Sequence, residues 1–269
     1  MPLVIAAFMA AVTMFPLYWA LVSALRPSDD IFKYMSPLTL WTFIPNHMTL
    51  ANMLGIWSSP FARAMLNSVI VATVTVTLGL SVCAMAAFAL AKLRLPGGNL
   101  IFSVVVVSFL IPFDAVSIPL ATLFRTLGLQ NSYSGLILPG IGNGFAVFLL
   151  RQFFLGIPSE LSEAARIDGL GWFGTFLRIY LPLSKPALIG AGLILFVFQW
   201  QSFLWPLLSA PDPDYKVAAV AIADFAGQLS TDYGMMFTAA IFVSIIPLLV
   251  LVVFQKYFTG SVAATGSKD

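Results

Sequence analysis

The chain has 269 residues, of which 60% are hydrophobic and 9% charged, whereas soluble domains carry roughly 25% charged residues. So few polar groups cannot cover a water-facing surface, and a mean hydropathy of +0.97 places the chain in lipid. The net charge of +2 is too small to point to nucleic acid, the single cysteine (Cys83) excludes an internal disulfide, and the single histidine (His47) leaves no His-rich metal site and nothing that favours a Ser/His/Asp hydrolase.

In chain order, the stretches without Asp, Glu, Lys or Arg that reach the ~20 residues needed to cross a bilayer are 2–25, 64–91, 95–113, 126–150, 186–211 and 233–255. None alternates as a barrel strand would, and hydrocarbon offers no partner for open backbone groups, so all six are expected to be helices. The expected fold is therefore an all-α membrane protein, with residues 1–269 forming one transmembrane domain. The first stretch lacks the basic start of a signal peptide and is longer than its apolar core, so it reads as a span. The apolar run 217–223 is too short to cross and belongs to a loop or the interface.

Six spans put both termini on one side. With both inside, the inner segments carry Lys92, Arg94, Arg151, Arg166, Arg178, Lys185, Lys256 and Lys268, and the outer ones Arg26, Lys33, Arg63, Arg125 and Lys216. The excess of inner basic residues favours cytoplasmic termini.

The longest inner segment, 151–185, reads RQFFLGIPSELSEAARIDGLGWFGTFLRIYLPLSK. Ser159 is a candidate N-cap, and Glu160 and Glu163 sit in a first turn, where the helix dipole favours acids. Leu161, Ala164 and Ala165 share a face at helical spacing. Gly169 suits the left-handed residue that ends a helix. A second short helix follows, with Trp172, Phe173, Phe176 and Ile179 on one side, and Pro182 and Pro186 mark the return to the membrane. By periodicity alone this is either an interfacial loop joining two spans or a slim helix that another surface can approach closely.

Glu163, Ala164, Ala165, Gly169, Ile179, Leu181 and Pro182, with Asp168 beside the glycine, match at every fixed position the Glu-Ala-Ala loop of ABC importer permeases. Leu110-Ile111-Pro112 through Ile118-Pro119-Leu120, Leu127-Gly128-Leu129-Gln130-Asn131 and Gly135-Leu136-Ile137-Leu138-Pro139 resemble the carbohydrate-uptake permeases of the maltose type, in particular their shorter six-span partner. The likeness covers nearly the whole chain. It departs at Trp200-Gln201-Ser202-Phe203, where the family often has a Trp-Asn-acid-Phe sequence; the carboxylate is absent.

The resemblance implies a sugar-importer permease in a bacterial or archaeal cytoplasmic membrane. It implies two ATPase subunits, a second permease chain and an extracytoplasmic solute-binding protein as partners. ATP and Mg would be bound by the ATPase partners, since no G-x-x-x-x-G-K-[ST] stretch occurs here. The loop between spans four and five would be the coupling helix seated on an ATPase, with Glu163 a contact or cap and Gly169 its sharp turn.

Gln199, Trp200, Gln201 and Trp205 cluster in the fifth span, and Asn143 lies in the fourth. Amides and indoles suit sugar, and equally suit helix packing and an interfacial aromatic belt. The acid-rich segments 27–62 and 211–232 are outer surfaces on which a binding protein could dock. Two rivals remain: a permease for a peptide, osmolyte or glycerophosphodiester, which the loop alone permits, and an ion-coupled transporter, which usually needs ionisable groups at the midplane that these stretches lack.

Overall fold

The computed structural model describes the backbone of residues 2–227 and 231–266, and the side chains of 3–227 and 231–256. Lys268, one of the inner charges counted above, lies outside the described residues. The helices that matter below are α1 (Pro2–Ala24), α2 (Phe61–Lys92), α3 (Gly98–Leu110), α4 (Phe113–Thr126), α5 (Tyr133–Ile141), α6 (Gly144–Leu155) and α7 (Glu160–Ile167). They continue with α8 (Trp172–Leu183), α9 (Lys185–Trp200), α10 (Leu204–Ser209) and α11 (Tyr233–Gly266).

Three segments, in α1, α2 and α11, are individually long and apolar enough to cross a membrane. Three bent pairs qualify together: α3 with α4 at 95°, α5 with α6 at 42°, and α8 with α9 at 84°. Counting each pair as one span gives six.

The stretches that look continuous by charge are thus interrupted, and proline and glycine supply the reasons. In the run 95–113 the helix α3 covers only 13 residues, about 20 Å of rise. Ile111, held extended (φ −74, ψ 121) before Pro112, ends it. In 126–150, Gly142 and Asn143 are extended between α5 and α6. In 186–211, α9 stops at Trp200 and α10 begins at Leu204.

The described residues form two compact units, Met1–Ser68 with Asp212–Val250, and Val69–Pro211 with Leu251–Asp269. In the first, α1 exposes Leu3, Ile5, Phe8, Val12 and Phe15, apolar flanks that hydrocarbon solvates. Beyond α1 the chain is tied by side chains to backbone. The Arg26 guanidinium, 1% exposed, donates to the carbonyls of Trp41 and Thr42. Asn52 Nδ2 donates to the carbonyls of Ala24 and Arg26. Asn67 Nδ2 similarly holds the carbonyls of Asp214 and Lys216, both at 2.9 Å. Ser28 Oγ donates to Asp232 at 2.8 Å, and Lys216 pairs with Asp224 at 2.8 Å.

The second unit contains a buried apolar core. Ala84, Ala87 and Phe88 of α2 pack with Ala146, Leu150 and Phe154 of α6, Ala187 and Ala191 of α9, and Phe176 and Tyr180 of α8. Alanines on facing helices let the backbones approach, the usual means of association where no hydrophobic drive exists between helices. Gly144 brings α6 onto α3: a Cβ there would sit 2.5 Å from the carbonyl oxygen of Val105.

Candidate functional site

Two places gather the residues singled out by sequence, both within the second unit. The first is a cavity of about 470 Å³. Three helix breaks reach it: Ile111 and Pro112 between α3 and α4, Gly142 and Asn143 between α5 and α6, and Ser202 between α9 and α10. Irregular backbone at membrane depth is tolerated where it lines such a space.

The polar side chains on its wall are Thr75, Ser108, Asn143, Gln199 and Ser202, and its aromatic faces come from Phe109, Phe113, Phe198 and Trp205. Among the described residues, no Asp, Glu, Lys, Arg or His lines it. Thr75 is 1% exposed, and its hydroxyl has no partner among the described residues. Beside it, a Cβ on Gly140 would lie 2.6 Å from Thr75 and 2.8 Å from the Gln199 amide oxygen, so the glycine keeps this corner open.

Of the five candidate pathway residues, the structure places Asn143, Gln199 and Trp205 on the wall. Asn143 is also a helix cap, its Oδ1 accepting from the N–H of Ala146 at 2.9 Å. The cap uses only the amide oxygen of this side chain. Asn143→Ala is therefore expected to cost about 1 kcal/mol of stability, read as a lower Tm. Asn143→Asp keeps the cap, and its uptake then reports the lost amide donor.

Trp205 is structural at its N–H. Pro139 has no N–H, so the carbonyl of Gly135 one turn earlier lacks its helical donor. The Trp205 indole fills that place at 3.1 Å, buried at 3% exposure. Its ring meets Phe113 and Phe124 edge-on at 5.8 and 5.2 Å.

Trp200 and Gln201 do not line the cavity. Trp200 is buried at 7% exposure, stacked on Phe196, and Gln201 is exposed just past the end of α9. Their adjacency in sequence put them on different faces. Thr75, Ser108 and Phe198 were not singled out, because single hydroxyls and phenylalanines in apolar runs carry no signal of their own.

The second place is the segment 151–185. Helix α7 begins after Ser159, but the Ser159 side chain makes no cap; only its carbonyl accepts, from Ser162 and Glu163. At the other end Gly169 is left-handed (φ +81), with Gly169 N–H on the carbonyl of Arg166 at 3.1 Å and Leu170 N–H on that of Ala165 at 2.9 Å. This is the paired closure of a Schellman motif.

The buried stripe of α7 is Ser162 and Ala165, while Leu161, Glu163, Ala164, Ile167 and Asp168 are exposed. The face expected from Leu161, Ala164 and Ala165 is thus divided, Ala165 turning inward. In α8, Phe176 is buried and Ile179 packs on the core, whereas Trp172 and Phe173 are exposed and Arg166 lies 5.0 Å over the Trp172 ring. Leu181 also packs on the core, and Pro182 is exposed. Pro182 cannot donate to the carbonyl of Arg178 and crowds it; the helix is wide over Phe176–Tyr180, just before it.

A membrane-embedded bundle with an uncharged internal cavity and a short capped helix on a loop has the features of a transport subunit. Residues 79–263 match the family described as binding-protein-dependent transport system inner membrane component, and the chain belongs to this family. It is 33% identical over 265 residues to the arabinooligosaccharides transport system permease protein AraQ of Halalkalibacterium halodurans, covering 97% of this chain and 94% of that one. It is 35% identical over 258 residues to the sn-glycerol-3-phosphate transport system permease protein UgpE of Escherichia coli K12, covering 92% and 90%.

Among solved structures, a bacterial ABC transporter involved in the import of the acidic polysaccharide alginate superposes with a TM-score of 0.83 at 20% identity. That match covers 96% of this chain and 95% of that one, and it shows the shared fold. The chain is a permease subunit of an ABC importer.

Proposed function

We propose that this permease carries a neutral saccharide, with both termini in the cytoplasm, and is driven by ATPase subunits that seat on α7. The observation that carries the saccharide reading is the cavity: amides, hydroxyls and flat aromatic faces, with no ionisable side chain on its wall among the described residues. Sugars present hydroxyl edges and apolar faces, which this wall matches. A phosphate or uronate buried there would lack a basic partner, and an unpaired buried charge is costly. The helix ends at the breaks do not supply one. The α3/α4 and α5/α6 breaks each bring one C-terminus and one N-terminus, whose partial charges oppose each other.

A specific finding favours a second reading, an organic phosphate: the likeness to the glycerol-3-phosphate permease is as strong as that to the arabinooligosaccharide permease.

For coupling, the exposed flank of α7 (Leu161, Glu163, Ala164, Ile167, Asp168) is the surface assigned to the ATPase, and the Gly169 closure sets its exit. ATP and Mg belong to that partner. The acidic outer segments 27–62 and 211–232 are assigned to the solute-binding protein. A second permease chain completes the pathway.

The test is reconstitution in vesicles with the cognate ATPase, second permease and binding protein. Alone, the chain hydrolyses no ATP. In the complex, neutral oligosaccharides are expected to stimulate hydrolysis and uptake, and sn-glycerol-3-phosphate and uronate oligomers are not. Stimulation by the anions alone establishes the second reading, and no stimulation by any solute overturns the permease assignment to sugars.

A further inference from the structure

The cytoplasmic root of the second unit holds a buried hydrogen-bonded aromatic cluster that no reading above uses. Tyr180, at the end of the wide turn in α8, is 0% exposed, and its hydroxyl lies 2.6 Å from Ser162 Oγ of α7, itself 8% exposed. The Tyr180 ring meets Phe88 of α2 at 4.9 Å and Phe154 of α6 at 5.7 Å, both edge-on.

Lys92, the last residue of α2, sits over the same ring, its ammonium 5.5 Å from the centroid. That ammonium also donates at 2.7 Å to the carbonyl of Ile157, in the linker that enters α7. The reverse tie exists as well: Arg151 of α6 donates to the carbonyl of Leu90 near the end of α2. Each helix thus lends a cation to the carbonyl end of the other, where cations are favoured.

From these contacts we infer that Tyr180 is a positioning residue that fastens α7 to α2 as well as to α9, so that displacement of α7 is transmitted up α2 to the cavity. This rests on the reading of α7 as the ATPase-seated helix. The chain gives α7 two covalent exits, through the linker to α6 and through α8 to α9. Neither leads to α2, which precedes it by some 70 residues. Noncovalent ties alone join α7 to α2, and among these the Ser162–Tyr180 hydroxyl pair is the only side-chain hydrogen bond from α7 to the cluster among the described residues.

Helix α2 is unbroken from Phe88 to Thr75, a rise of about 20 Å. Thr75 there lines the cavity, and one turn below it α2 packs on the end of α5, where a Cβ on Gly79 would lie 3.3 Å from the carbonyl of Ile141. A rigid rod with one end clamped to the moving helix and its middle in the cavity wall is suited to carry that movement. Phe88, Phe154 and Phe176 are buried with Tyr180 in one apolar core, an environment in which a hydrogen bond is electrostatically stronger than in water.

The experiment uses the full reconstituted complex and compares wild type with Tyr180→Phe, Ser162→Ala and the double variant. Tyr180→Phe keeps the ring and its packing and removes only the hydroxyl. Three quantities are read: assembled complex, stimulated ATP hydrolysis, and solute taken up per ATP. The expected result is an uptake-to-hydrolysis ratio about three- to tenfold lower in each single variant. The double variant should be no worse than either single, since both remove the same bond.

A merely stabilising bond lowers assembly, hydrolysis and uptake together and leaves the ratio unchanged; that result, or two additive single effects, overturns the inference. The coupling reading fails separately. If charge reversal at Glu163 and Asp168 on the exposed flank leaves ATPase assembly and stimulated hydrolysis intact, α7 is not the seat, whatever Tyr180 does.

Discussion

Gly135→Ala is expected to abolish uptake and to lower the Tm of the purified protein more than any other single-methyl change in the second unit. A Cβ at this position would lie 2.1 Å from the carbonyl oxygen of Leu129 and 3.2 Å from Ser132 Oγ. Neither neighbour can yield. The Leu129 carbonyl is held by Ser132 Oγ at 2.7 Å, and the same Oγ caps α5 by accepting from the Gly135 N–H at 3.0 Å. The turn before it already places Asn131 at φ +51.

Overpacking usually costs about 1–3 kcal/mol, and a contact of backbone on backbone belongs at or above the top of that range. The same carbonyl that Gly135 presents outward is the acceptor of the Trp205 indole. Displacing α5 therefore also strips a bond from the cavity wall. Trp205→Phe isolates that second effect: the ring is largely kept and a buried carbonyl is orphaned, with an expected loss of about 1–3 kcal/mol. Thermal unfolding in detergent, with uptake in vesicles, separates the two. A Gly135→Ala protein with wild-type Tm would mean the Leu129–Ser132 turn is far softer than its bonding implies.

The second large effect is expected at Gly169. Nothing lies within 4 Å of a Cβ there, so the size of a substituent is not what matters. The cost comes from φ +81, a left-handed backbone that penalises an ordinary L-residue by about 1–2 kcal/mol and a β-branched one more. Because Gly169 donates one closing bond of the Schellman motif and sets the turn that lets Leu170 donate the other, the strain is relieved by unwinding the end of α7. Gly169→Val is expected to lower stimulated hydrolysis and uptake about tenfold, the factor that about 1.4 kcal/mol corresponds to. Gly169→Asn, which tolerates this conformation, should retain most of both. Equal losses in the two variants would count against a conformational cause.

What could be read without coordinates follows from what is local. Gly169 was legible because a glycine just past the last residue of a helical pattern suits the left-handed turn that ends it, and Pro182 and Pro186 were legible as a boundary because proline interrupts a helix. The charge-free runs located the membrane segments, but charge says nothing of continuity. Pro112 and Gly142 interrupt two of them, and both residues also occur inside membrane helices, as Pro119 and Pro139 do here. The trio Gln199, Trp200 and Gln201 looked like one polar cluster; at about 100° per residue, only Gln199 reaches the cavity.

Tyr180 was invisible for a further reason. A tyrosine in a basic cytoplasmic loop reads as an interfacial anchor. Its real partners, Phe88 and Lys92, are some 90 residues earlier.

The unionised wall of the cavity also bears on energetics. A neutral cargo crossing beside neutral side chains moves no charge through the transmembrane field, which otherwise contributes about 2.3 kcal/mol per elementary charge per 100 mV. On the proposed saccharide reading, import by this route is electrically silent. If the cargo is the neutral saccharide proposed above, neither the sign nor the size of the membrane voltage sets how far it can be concentrated, and the gradient has to come from the energy source of the proposed ATPase partners.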